Sequence, residues 1–101
     1  MCRNIKLLYN FEPPATDAEI RASALQYVRK VTGMRKPTGT NREAFERAVD
    51  EITEITERLL LAELTTRAAP RDREVEQERA KERGRRREAQ LRQRLGASDP
   101  R

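Results

Sequence analysis

Histidine and tryptophan are absent from this chain, cysteine occurs once, and aromatic residues make up only 4% of its 101 positions. Without histidine the commonest general base at neutral pH is missing, as are every Ser-His or Cys-His nucleophilic pair and the familiar mononuclear zinc sets. No catalytic constellation, metal site or cofactor is therefore read from the residues. One cysteine, Cys2, cannot close an intramolecular disulfide, so no covalent framework holds the fold. No apolar run approaches the roughly 20 residues that span a bilayer, and the opening segment lacks the pattern of a secretory signal. A cytoplasmic location without a membrane partner is the expectation. Gly33, Lys36 and Gly39 lack the spacing of a phosphate-binding loop.

What is present is charge. Lys, Arg, Asp and Glu supply 39% of the residues, against about 25% in an average globular protein, so little of the chain can be interior. The large apolar residues lie mostly between Ile5 and Leu64, whereas Val75, Leu91 and Leu95 are the only ones beyond Pro70. A core confined to the first two thirds leaves stability marginal, and burial against a partner or a second copy would add to it.

The spacing predicts an all-α fold. Residues 1–69 are expected to form an antiparallel helical hairpin with an extended N-terminal arm, and residues 70–101 a charged, mostly solvated helical tail that is disordered from Ser98 to Arg101. The arm should pack Ile5, Leu8 and Phe11 against the helices, ahead of an extended turn at Pro13-Pro14. Thr16 with Glu19 reads as a capping box that opens a first helix. Ile20, Ala24, Tyr27, Val28 and Val31 gather on one of its faces and Gly33 stops it. After the reversal through Pro37 and Gly39, Thr40 with Glu43 reads as a second capping box. Phe45, Val49, Ile52, Ile55 or Thr56, and Leu59 carry the second stripe, widened by Leu60, Leu61 and Leu64. That helix is expected to close at Ala68-Ala69-Pro70, with Pro70 entering the first turn of the next. In the tail Glu82 with Arg86 and Glu88 with Arg92 have the favourable i,i+4 order. Gly84 costs about 0.8–1.0 kcal/mol in a helix interior, so the tail helix is expected to fray or break there.

Three functional readings follow. The first is a protein-interaction or self-associating module whose surface is Leu60, Leu61 and Leu64. The second is a nucleic-acid-associated accessory protein. The basic residues Arg29, Lys30, Arg35 and Lys36 around the reversal, together with Arg85, Arg86 and Arg87, would contact phosphates. Against it, glutamates are interspersed along the tail, stacking aromatics are lacking, and the second helix is acidic, with Glu43, Glu46, Asp50, Glu51, Glu54 and Glu57. Solvated faces account for the same charges. The third is a thiol-dependent enzyme or carrier: removal of Met1 would leave Cys2 with a free amine and a thiol, and Arg3 nearby would favour the thiolate. Burial of Cys2 as a small hydrophobe is the plainer alternative.

The runs Met1-Cys2-Arg3-Asn4-Ile5-Lys6, Phe11-Glu12-Pro13-Pro14-Ala15-Thr16, Ala24 to Gly33 with Lys36-Pro37, and Pro70-Arg71-Asp72-Arg73-Glu74 resemble those of the domain of unknown function 2277 family, over roughly Met1 to Arg83. The resemblance implies no activity. It draws attention to Cys2, Arg3, Asn4, Lys6, Gln26, Arg29, Lys30 and Lys36, polar or reactive motif residues that an arm folded over the first helix would gather near Gly33. The residues after Gly84 depart from the family pattern, so any role placed on them is particular to this chain.

Overall fold

Thr16 opens the first helix by local hydrogen bonding. In the computed structural model, which describes residues 5–97, its backbone is extended (φ −82°, ψ 158°). Its hydroxyl accepts from the Glu19 N–H at 3.2 Å, and Glu19 Oε1 accepts from the Thr16 N–H at 2.9 Å. Two otherwise orphaned donors are satisfied, and helix α1 runs over Asp17–Thr32. Asp17 and Glu19 in its first turn and Arg29 and Lys30 in its last complement the helix dipole. Gly33 ends it at φ 72°, donating its N–H to the Arg29 carbonyl at 2.9 Å, a left-handed conformation that costs any residue with a Cβ.

Helix α2, Thr40–Arg58, begins differently. The second capping box does not form: Gly39 is the N-cap, at φ 62° and ψ −136°, and Thr40 is already helical. Only glycine enters that region readily, so the helix starts at the threonine itself, one residue earlier than a Thr40 cap would start it, and has no side-chain cap.

The two helices pack as a hairpin through matching i,i+4 rows, Ile20, Ala24 and Val28 on α1 and Phe45, Val49 and Thr53 on α2, all buried. Full burial of Ile20 and Val49 stabilises the unit by about 1.5–3 kcal/mol each. Leu25, Ala48 and Ile52 pack around this centre. Thr53 takes a core position that the apolar pattern assigns to no residue, and its hydroxyl is satisfied by the Val49 carbonyl at 2.7 Å. Conversely, Tyr27, Val31, Ile55 and Leu59, expected on the packed stripes, are exposed. A single facing helix covers only a narrow line. Tyr27 is rotated about 100° from Val28, and Val31 lies in the last turn of α1, opposite a helix whose first buried residue is Phe45.

The α-helical part of α2 stops at Arg58, well short of Ala68-Ala69-Pro70. A single π-helical turn, Leu59–Glu63, follows, closed by the Leu64 N–H donating to the Leu59 carbonyl at 3.0 Å, after which Leu64 is extended. The arm returns to this region. Asn10, at φ 63°, donates Nδ2 to the Ala69 carbonyl at 3.1 Å and to that of Ala68 at 3.4 Å. Leu8 and Phe11 are half-buried as expected, whereas Ile5 is exposed. Pro13 follows a cis peptide bond.

The chain divides into two units after Pro70. The second carries helix α3, Arg73–Ala97, whose start is capped by Asp72: Oδ1 accepts from the N–H groups of Glu74 and Val75 at 2.8 and 3.1 Å. Pro70 thus precedes the helix and does not enter its first turn. The helix continues through Gly84 without a break, because ion pairs flank the glycine on both sides: Arg79–Glu76, Lys81–Glu78, Arg85–Glu82, Arg86–Glu82 and Arg92–Glu88. Among the described residues there are helices and no strands, an all-α fold. Among the described residues no helix is long and apolar enough to cross a membrane. Cys2, Arg3 and the segment from Ser98 to Arg101 lie outside the described residues, and with them the thiol reading and the expected terminal disorder.

Candidate functional site

Two recesses flank α2, one at each end. The first, about 380 Å³, lies between the arm and the π turn. Leu60, Leu61 and Leu64 line it together with Leu8, Tyr9, Phe11 and Pro14. At helical spacing Leu60, Leu61 and Leu64 fall within about 100° of one another, so they share one side of the turn. Leu61 and Leu64 remain 49% and 45% exposed, while Leu60 is half-buried. The rim is an apolar edge with the polar Asn10, Thr65 and Thr66.

The second recess, about 300 Å³, lies at the α1–α2 reversal. Arg29, Arg35 and Lys36 line it, as do Arg21 and Arg42, which the charge pattern around the reversal does not single out; Lys30 does not. Arg21, Leu25 and Arg29 are one i,i+4 row of α1, and Arg42 with Glu46 is another on α2, so counting charged residues along helix flanks would have found them. Arg29 also acts structurally, since its Nε donates to the Arg35 carbonyl at 3.2 Å and fixes the turn. Arg21 pairs with Asp50. Arg35, Lys36 and Arg42 carry no ion pair among the described residues.

The arginine run of α3 is partly neutralised. Arg85 donates to Glu82 through Nε and Nη2 at 3.1 and 3.0 Å, and Arg86 lies 3.4 Å from the same carboxylate. Hydrogen bonding from Arg85, then its charge and that of Arg86, hold the Glu82 carboxyl below its ordinary value. Arg87 is unpaired among the described residues. No group of three carboxylate or thiol side chains converges as a metal ligand set among the described residues.

No curated protein and no solved structure matches the chain. A family model does, described as an uncharacterized conserved protein family, DUF2277, and it covers residues 1–79, the whole hairpin unit and the start of α3. With more than three quarters of its length so matched, the chain belongs to the DUF2277 family.

Proposed function

We propose that this protein is a self-associating interaction module whose partner surface is the apolar edge around Leu60, Leu61 and Leu64. The observation that carries the reading is an imbalance in the first unit. Among the described residues its buried apolar core is six residues, Ala15, Ile20, Ala24, Val28, Phe45 and Val49, while nine large hydrophobics are exposed by more than a third of their surface. Two of these, Ile55 in the last turn of α2 and Leu59 at the start of the π turn, stand four residues apart and lead directly into Leu60, Leu61 and Leu64. Single exposed hydrophobics are ordinary; a run of them beside an undersized core is the pattern of an interface.

A second copy is the occupant, because the deficit is in the chain's own stability. A unit of this size rarely reaches adequate stability from one small core, and oligomerisation is a common supplement. The nucleic-acid reading is weaker, since Arg85 and Arg86 share Glu82 and no aromatic accompanies them.

Light scattering tests the proposal. The chain should show at least twice its monomer mass in both low and molar salt, since apolar burial survives screening. Leu61→Glu with Leu64→Glu should return it to monomer mass with its helical circular dichroism retained. A monomer in the unmodified chain refutes the module, and retention on a polyanion that collapses with moderate salt would favour nucleic acid instead.

A further inference from the structure

The recess at the α1–α2 reversal, at the opposite end of α2 from the leucine edge, holds five cationic side chains, three of which the packing of the hairpin does not explain. We propose that it binds a small organic phosphate, of about mononucleotide size.

Arg21, Arg29, Arg35, Lys36 and Arg42 surround one recess whose only carboxylate is Glu46. Like charges gathered round a concavity repel one another and concentrate a positive potential there, and a bound anion relieves the first and exploits the second. Structural roles account for two of the five: Arg21 pairs with Asp50, and Arg29 fixes the turn while complementing the end of α1. They do not account for Arg35, Lys36 and Arg42, which are unpaired among the described residues.

Arg42 is the most telling. It stands in the first turn of α2, where the helix dipole is positive and a cation is destabilising. That same helix end has no side-chain cap, and the Arg42 N–H reaches only the Gly39 carbonyl, at 3.3 Å. The start of α2 lies between Pro37 and Arg42, both of which line the recess. A phosphate in the recess would meet two unpaired arginines, Arg35 and Arg42, and Lys36, which together favour an anion.

The rest of the lining sets the ligand class. Leu25 and Pro37, half-buried over the core residues Phe45 and Val49, contribute apolar surface, which inorganic phosphate does not need and an organic moiety does. The volume of about 300 Å³ is at the lower limit of ordinary ligand pockets, suited to one small molecule.

Calorimetric titration of the full chain with adenosine 5′-monophosphate, uridine 5′-monophosphate, ribose 5-phosphate, adenosine and inorganic phosphate provides the test. At least one organic phosphate should bind one per chain, about tenfold or more tighter than adenosine or inorganic phosphate. Lys36→Gln and Arg42→Gln should each weaken that binding about fivefold or more, whereas Arg86→Gln should leave it unchanged. Without ligand, Arg42→Gln should raise the melting temperature, since it removes a cation from a helix N-terminus. This separates lost binding from lost folding. The proposal is overturned if none of the organic phosphates binds, if inorganic phosphate binds as tightly, if the recess variants bind normally, or if only an RNA oligonucleotide binds.

Discussion

Asn10 shows how much of the arm's placement rests on one side chain. Its φ of 63° is tolerated by asparagine better than by other non-glycine residues, and its amide reaches the carbonyls of Ala68 and Ala69. Asn10→Ala loses both features and should destabilise the hairpin unit by about 1 kcal/mol; Asn10→Gly keeps the backbone conformation and should cost less. Urea unfolding of the two variants distinguishes these contributions, and equal stabilities would mean that the hydrogen bonds alone fix the arm. Glu82 gives a second prediction at this scale. Its carboxyl is held below the ordinary value by Arg85, so the pair's stabilisation is present above the unfolded pKa and lost as pH falls through the folded one. The helical circular dichroism of the chain should therefore decline below the ordinary glutamate range, and Glu82→Gln should remove part of that decline. An identical acid titration in the variant contradicts the pairing.

At the scale of elements, α3 is a helix held by ion pairs along its own surface, with Gly84 as its weakest position. A Cβ at Gly84 would meet only Arg87 Nη2, at 3.9 Å, an ordinary contact. Gly84→Ala should thus stabilise the helix by about 0.8–1.0 kcal/mol, seen as a gain in helical circular dichroism on heating. No gain would mean that the glycine serves a bend absent from the helix described. The first helix was legible in the sequence from cap to stop, because Thr16, the i,i+4 row and Gly33 all act locally. The same capping signature at Thr40 failed, because the residue before it is a glycine at positive φ, and a pattern of side chains does not reveal backbone conformation. Thr53 in the core and the π turn at Leu59–Glu63 were equally hidden: a buried hydroxyl needs only its own helix carbonyl, and Leu59-Leu60-Leu61 reads as ordinary helix. For the basic recess the reversal residues were legible, whereas Arg21 and Arg42 were not, since the recess depends on how two helix flanks meet.

In the molecule as a whole, the described part of the first unit leaves more large hydrophobics exposed than it buries. A few core residues, Ile20, Val28, Phe45 and Val49 foremost, must oppose about 1–2 kcal/mol of backbone entropy for each ordered residue. In the proposed module, association through the exposed hydrophobics would shift that balance by mass action and link folding to self-association. Geometry keeps the leucine edge and the basic recess separable. Val49, the last α2 residue lining the recess, and Leu60 are about 16 Å of helix apart, and a variant at one site should leave the other's ligand in place. The most direct measurement is the melting temperature as a function of protein concentration in molar salt. If a second copy completes the core, the transition rises steadily over a hundredfold increase in concentration, and Leu61→Glu with Leu64→Glu flattens the dependence. A melting temperature that does not change with concentration in the unmodified chain contradicts the account.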